Sequence, residues 1–398
     1  MEATKSLEGI RVLDLSRFAA GPHCTMLLAD LGAEVVKVEE PGSGEGQRKI
    51  PPFARGQAYL FLLLNRNKKG ITLNLKTEEG REILKELATQ VDVLVENFAP
   101  GVMARLGLGY PELRQRNPRL IYASISGFGQ QGPYSSRPGY DMLAQAMGGM
   151  MSVTGHPEGP PTRTGPAVAD FMGSLYLTIA ILAALQARQK TGRGQRIDIS
   201  LHDCVWATVC YEFAPAYFLQ GTILPRQGNR HPNCTPYNTY KTKDGYVVIA
   251  TATDAQWQSL LRAMGRENLL SEPRFATMAK RQENFAAVDA LVEEWTRGRS
   301  VGEVIAELTQ ARVPCAPILT LDKVVTDPHL QAREMIQEME HPVAGRIKLP
   351  GSVLKLSETP ATLRSPAPSL GEHNREIYCG WLGLSSEKLN QLKEEGII

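Results

Sequence analysis

Among the side chains able to carry covalent chemistry, Asp170 has the most telling position. It follows Gly165-Pro166-Ala167-Val168-Ala169 and immediately precedes a long apolar stretch that starts at Phe171. An aspartate there reads as a helix N-cap, whose carboxylate accepts a backbone N–H. Capping alone would explain the residue, but a helix N-terminus also favours negative charge. The placement therefore predicts an ionised, hydrogen-bonded carboxylate, the state a carboxylate nucleophile requires. Other chemistries lack their signatures. The segment Ser16-Arg17-Phe18-Ala19-Ala20-Gly21-Pro22 after the first predicted strand offers no GxGxxG, and Gly42-Ser43-Gly44-Glu45-Gly46 has the wrong spacing for that fingerprint. No Walker motif and no GxSxG elbow occurs. The cysteines at 24, 204, 210, 234, 315 and 379 form no CxxC pair and no Cys/His spacing, so neither zinc nor a disulfide framework is expected.

The elements that must position Asp170 follow from periodicity. A chain of 398 residues exceeds the size at which one core stops growing, about 250 to 300 residues, so two domains are expected. Strands are predicted at Arg11 to Leu15, Glu34 to Glu39, Ile71 to Leu75, Val91 to Asn97 and Leu120 to Ser126. Helical patterns at Cys24 to Leu31, Glu79 to Thr89 and Val102 to Leu106 alternate with them, which favours a parallel sheet covered on both faces. This is an α/β, Rossmann-like domain over residues 1–220. It ends with helices from Tyr140 to about Lys190, a turn at Thr191 to Gly194, a strand at Arg196 to Ser200 and a further helix after His202. A smaller α+β domain spans 225–325. It opens with a hairpin signal from Tyr240 to Ile249 around Asp244-Gly245, followed by helices near Gln256 to Met264, Ala286 to Thr296 and Val301 to Gln310. The proline-rich segment 330–398 reads as an extended stretch returning over the large domain, closed by a short helix at Ser386 to Glu395.

Composition narrows the partners. A formal charge of +2, with 42% hydrophobic and 22% charged residues, describes an ordinary globular chain with no global field for nucleic acid or a membrane surface. The start MEATKSLEGIRVLDLS has no basic region leading into an apolar core, so a mature cytoplasmic N-terminus is expected. The apolar run Phe171 to Ala187 falls short of the roughly 20 residues of a membrane span and reads as a buried helix.

Motif order then points to a family. Arg137-Pro138-Gly139-Tyr140-Asp141, the run Met147 to Gly155, Gly159-Pro160-Pro161-Thr162 and Val168-Ala169-Asp170 together resemble the centre of class III CoA-transferases of the formyl-CoA and carnitine CoA-transferase type. Val12 to Ser16, Gly32 to Glu39, Asn65 to Lys69, Val95 to Phe98, Thr191 to Gln195, Val313-Pro314-Cys315 and Leu370 to His373 extend the likeness over almost the whole chain. The resemblance implies an intertwined, ring-like homodimer that binds coenzyme A along its Rossmann-like domain and needs no metal and no tightly bound cofactor. It implies that Asp170 forms an aspartyl anhydride and then an aspartyl-CoA thioester. It places Phe18, Ala20, Leu73, Lys76, Asn97, Phe98, Arg105 and Tyr140 along the CoA path. Lys76 and Arg105 suit phosphates, and Asn97 suits the pantetheine amides.

Departures refine the expectation. Formyl-CoA transferases carry histidine and glutamine where this chain has Arg17 and Ala19, and no glycine-rich lid stands between Asn229 and Tyr240. The stretches Glu338 to Pro342 and Tyr237 to Val248 look closer to succinyl-CoA-dependent dicarboxylate members, and Arg17 is a candidate for a substrate's second carboxylate. Two rivals share the fold. α-Methylacyl-CoA racemases need acid/base groups about the α-carbon and typically supply a Gly-His-Asp histidine where this chain has Gly139-Tyr140-Asp141. Tyrosine, with an ordinary pKa near about 10, suits that role poorly, and His156 precedes Pro157 in a loop. A non-catalytic CoA-binding protein is the second rival, opposed by the intact surroundings of Asp170.

Overall fold

The computed structural model describes residues 4–398. The chain forms two compact units. The larger takes the residues up to Met150 together with Arg163–Pro215 and Pro328–Ile398; the smaller takes Met151–Thr162 and Ala216–Asp327.

Six strands build the sheet of the larger unit: β1 (Arg11–Asp14), β2 (Glu34–Glu39), β3 (Lys68–Thr72), β4 (Val93–Glu96), β5 (Ile121–Ser126) and β6 (Arg196–Ser200). Every pairing is parallel, and the spatial order is β3-β2-β1-β4-β5-β6. That is the doubly wound order, in which the chain reverses direction of winding between β1 and β4 and leaves a crevice at their carboxyl ends. Strand β5 is buried at every residue and β4 likewise, as a sheet covered on both faces requires.

The position of β3 departs from the hydrophobic pattern. It was expected from Ile71 to Leu75 but begins at Lys68, because the Lys68 ammonium is fully buried and satisfied by Asp14, Asn65 and the Pro22 carbonyl, each at 2.9 Å. Helix α1 (Ala20–Asp30) starts four residues before the predicted Cys24. Its first turn holds Gly21, where a Cβ would lie 2.2 Å from the Cβ of Ser16. Only glycine lets the helix start so close to the end of β1.

The region after Tyr140 is broken into α2 (Asp141–Met147), a single turn at Met150–Val153, and α3 (Val168–Thr191). Helix α3 is 24 residues, longer than its apolar core suggested and long and apolar enough to span a bilayer by length and composition. One face, with Ala169, Gly173, Leu177, Ile181 and Ala184, is buried. It packs on α1 and the sheet. Helix α4 (Leu201–Gln220) begins directly at the end of β6.

The terminal segment is more structured than its prolines implied. It contains an antiparallel hairpin, Ile336–His341 with Gly345–Pro350, and a helix at Asn374–Leu382 besides the predicted one, which spans Ser386–Glu394. Tyr378 donates to the Thr72 carbonyl at 2.6 Å, and Asn74 N–H donates to the Ile397 carbonyl at 2.8 Å, so this segment is anchored beside β3.

In the smaller unit, Tyr237–Lys241 and Tyr246–Ala250 pair as the expected hairpin, with Cys315–Pro317 as the third antiparallel strand. The helices Asp254–Ala263 and Val301–Gln310 each start with a capping box, Thr253 with Gln256 and Ser300 with Glu303.

Candidate active site

The crevice at the β1/β4 switch point is closed by a reciprocal clamp. Arg17 N–H donates to Asn97 Oδ1 and Asn97 Nδ2 donates to the Arg17 carbonyl, both at 2.8 Å. The Arg17 guanidinium lies over the Phe98 ring, 4.7 Å from its centre. Phe18 takes a left-handed backbone with φ 63°. Its N–H donates to Glu45 at 2.8 Å, and its ring lies where a Cβ on Gly46 would come within 2.8 Å.

A buried ionic layer supports this loop. Lys37 donates to the Ser16 carbonyl at 2.8 Å and pairs with Glu45 at 3.0 Å, both ammonium and carboxylate lying out of contact with water. Asp14 pairs with Lys68 at 2.9 Å and accepts from Ser16 N–H at 2.9 Å and Thr25 at 2.6 Å. Burial opposes ionisation of Asp14, but the charges of Lys68 and Lys37 and these hydrogen bonds outweigh it and hold the acid well below the usual carboxylate range.

Two cavities meet at the clamp, since Arg17 and Phe98 line both. One, of about 340 Å³, runs past Leu73, Glu40 and Lys76. The other, of about 290 Å³, is bounded by Phe18, Ala20, Tyr140 and Leu201 and contains Asp170. Asp170 is not an N-cap. Helix α3 starts at Val168, so Asp170 is its third residue, and the Ala169 N–H is instead capped by Asp141 at 2.8 Å. Asp141 also accepts from Gln145 at 2.8 Å, and Gln145 accepts from Thr164 N–H at 3.0 Å, which fastens the segment entering α3. The expectation of an N-capping, ionised and hydrogen-bonded Asp170 is therefore corrected. Burial, and next the charge of Asp141, push its pKa up to about 7.

The remaining residues fall into place unevenly. Asn97 spends both ends of its amide on Arg17 and so holds the loop. Lys76 pairs with Glu40 at 2.6 Å on an exposed edge. Arg105, in the short helix Val102–Arg105, is exposed and lines neither cavity. His156 belongs to the smaller unit, where a Cβ on Gly228 would meet its ring at 2.9 Å. Two residues were not singled out from sequence. Glu96, at the end of β4, is buried and accepts from Phe98 N–H at 2.9 Å, and burial pushes its pKa up to about 7. Asp141 was quoted within a motif, but nothing in its neighbours showed that it would cap α3.

A doubly wound parallel sheet with a carboxylate-bearing crevice at its switch point defines a ligand-binding α/β protein of the class that receives nucleotide-like molecules there. Comparison makes this specific: the chain matches CoA-transferase family III over residues 7–374 and belongs to that family. Over 99% of its length it is 40% identical to the succinyl-CoA–D-citramalate CoA-transferase of Chloroflexus aurantiacus, covering 98% of that protein. It is also 40% identical to the formyl-CoA:oxalate CoA-transferase of Streptomyces avermitilis, over 99% of this chain and all of that one. The human succinyl-CoA:glutarate CoA-transferase is 36% identical, over the whole of this chain and 91% of the relative. A crystal structure of a CAIB/BAIF family protein from Brucella suis, 40% identical, superposes with a TM-score of 0.83 over 95% of this chain and 99% of that one. The chain is a family III CoA-transferase acting on acyl-CoA and carboxylic acids.

Proposed function

We propose that the protein moves CoA from an acyl-CoA donor, succinyl-CoA being the candidate, to a dicarboxylic acid, with Asp170 carrying the acyl group. The ionised Asp170 carboxylate attacks the thioester carbonyl; the C–S bond breaks and CoA thiolate leaves a mixed anhydride. The thiolate returns to the aspartyl carbonyl, expels the donor acid and forms an aspartyl-CoA thioester. The acceptor carboxylate displaces the thiolate from that carbonyl, and the thiolate then attacks the acceptor's carbonyl, which releases the new acyl-CoA and frees Asp170. No proton is transferred.

The observation that carries this reading is the placing of Asp170 in a cavity that meets, at the Arg17–Asn97 clamp, a second cavity leading to Lys76. Phe18, Ala20, Phe98 and Tyr140 would line the thioester arm of CoA, and Leu73 and Lys76 its nucleotide end. The dicarboxylate rests on the two arginines, Arg17 and Arg137, that line the Asp170 cavity and on the activities of the citramalate and glutarate relatives. The homodimer is supported by an uncovered apolar face on α3 and α4: Leu175, Tyr176 and Ile179 with Trp206 and Tyr211. Such a face suits a second copy of the chain. Tyr140 in place of a basic histidine argues against the racemase.

The experiment is peptide mass spectrometry after incubation with succinyl-CoA and then hydroxylamine, with Asp170→Ala as control. A hydroxamate on the Asp170 peptide of wild type alone is expected. Its absence with every acyl-CoA tried would remove Asp170 as the nucleophile.

A further inference from the structure

The transfer chemistry uses one charged side chain of the Asp170 chamber, yet two arginines, Arg17 and Arg137, also line it, and Asp170 is the one acidic residue of that lining. The two arginines are differently placed. Arg17 stands at the junction of both cavities, stacked on Phe98, and its charge reaches Glu40 beside Lys76. Arg137 lines the Asp170 chamber and not the second cavity.

Arg137 is also built to stay there. Its guanidinium lies over the Tyr134 ring at 4.3 Å, and Tyr134 meets the Phe128 ring edge-on at 5.9 Å. Its N–H donates to the Tyr134 carbonyl at 2.9 Å, closing a turn. Two residues later Gly139 presses on Gly127 at the end of β5, where a Cβ on either would fall 2.4–2.5 Å from the other's Cα. This contact welds the turn to the sheet, and two residues on Asp141 caps the helix that bears Asp170. Arg137 and Asp170 are thus referenced to the same scaffold. A guanidinium held over an aromatic ring by its face spends none of its N–H donors on a hydrogen bond to that ring, and the fork of donors matches a carboxylate bidentately.

We propose that Arg137, rather than Arg17, receives the second carboxylate of the acid whose first carboxylate reacts at Asp170, and so selects dicarboxylic over monocarboxylic acyl groups. The proposal rests on the covalent reading of Asp170. It assigns Arg17 to the CoA path and leaves it indifferent to the acid.

The test uses single-turnover formation of the Asp170 adduct, trapped with hydroxylamine, from succinyl-CoA and from butyryl-CoA, which share a four-carbon chain and differ in the distal carboxylate. Wild type should prefer succinyl-CoA. Arg137→Ala should lower the succinyl rate roughly tenfold to a hundredfold, as expected for losing a charged hydrogen-bonded pair. The butyryl rate, which also reports correct folding, should fall far less than the succinyl rate. Arg137→Lys should recover part of the preference, and added guanidinium should restore part of the Arg137→Ala loss. Arg17→Ala should slow both acyl-CoAs alike. A wild type without preference, an equal loss of both rates in Arg137→Ala, or a preference lost only in Arg17→Ala would each overturn the assignment. No adduct from either acyl-CoA in wild type would overturn the covalent mechanism itself, and the assignment with it.

Discussion

Asp14 and Asp170 are aspartates of the larger unit, the first fully buried and the second half-buried in a cavity wall, and they meet opposite fates. Asp14 is surrounded by two ammonium groups and two hydroxyls, so it stays charged and serves as a fixed anchor under the loop Ser16–Ala20. Among the described residues Asp170 has no cationic partner within ion-pair distance, and its charged neighbour is another carboxylate, so its ionised form is costly and reactive. Burial alone therefore does not make a carboxylate chemical. What distinguishes the two is whether the charge is answered by its surroundings.

The contrast can be broken most severely at Asp170. Asp170→Ala should lower steady-state CoA transfer by about three orders of magnitude or more, as removal of a nucleophile does, while CoA binding measured by calorimetry persists. Asp14→Ala should act on the fold instead. It strands Lys68 in the interior, a loss of about 3–5 kcal/mol by the cost of halving a buried pair, read as a lowered midpoint in urea unfolding. Retention of stability with loss of turnover would reverse the roles assigned to the two aspartates.

Proton linkage sharpens the comparison. Attack requires ionised Asp170, so kcat/KM should fall as pH drops below about 7, the pKa to which burial and Asp141 raise it. Asp141→Asn removes the neighbouring charge and keeps an oxygen for the Ala169 N–H, so the acid limb should move to lower pH. Glu96→Gln should leave that limb in place, because Glu96 touches Phe98 N–H and not Asp170. The smallest effect is on stability. An aspartate with folded pKa raised above its unfolded value binds more protons folded than unfolded between about 4 and 7, so its contribution declines as pH rises through that window. Asp170→Asn should therefore stabilise at pH 8, by about 1–2 kcal/mol after allowance for partial exposure, and not at pH 4. A scan of Tm against pH for both proteins measures it.

The alternation of strands and helices was readable because four of the six strands carry adjacent apolar residues and β6 alternates them, and the hairpin around Asp244-Gly245 because turn chemistry is local. The start of β3 was not, since Lys68 looks like a surface residue until Asp14 is brought to it from 54 positions away. The position of Asp170 was correct to within a turn, yet its ionisation was misjudged: the cap was supplied by Asp141, from a different helix. Lys76 and Arg105 matched a motif, but one is paired at the surface and the other lies off the cavities. Charged residues in the sequence declare their type, not the company they keep.

The clamp at the switch point has a bearing on how such an enzyme diversifies. Asn97 grips residue 17 solely through its backbone N–H and carbonyl. Those two hydrogen bonds are consequently indifferent to the side chain carried there. Position 17 can exchange arginine for another residue and keep both of these bonds, giving up only the stacking on Phe98, whereas a change at Asn97 removes them. Innovation at one end of the clamp is permitted by constancy at the other.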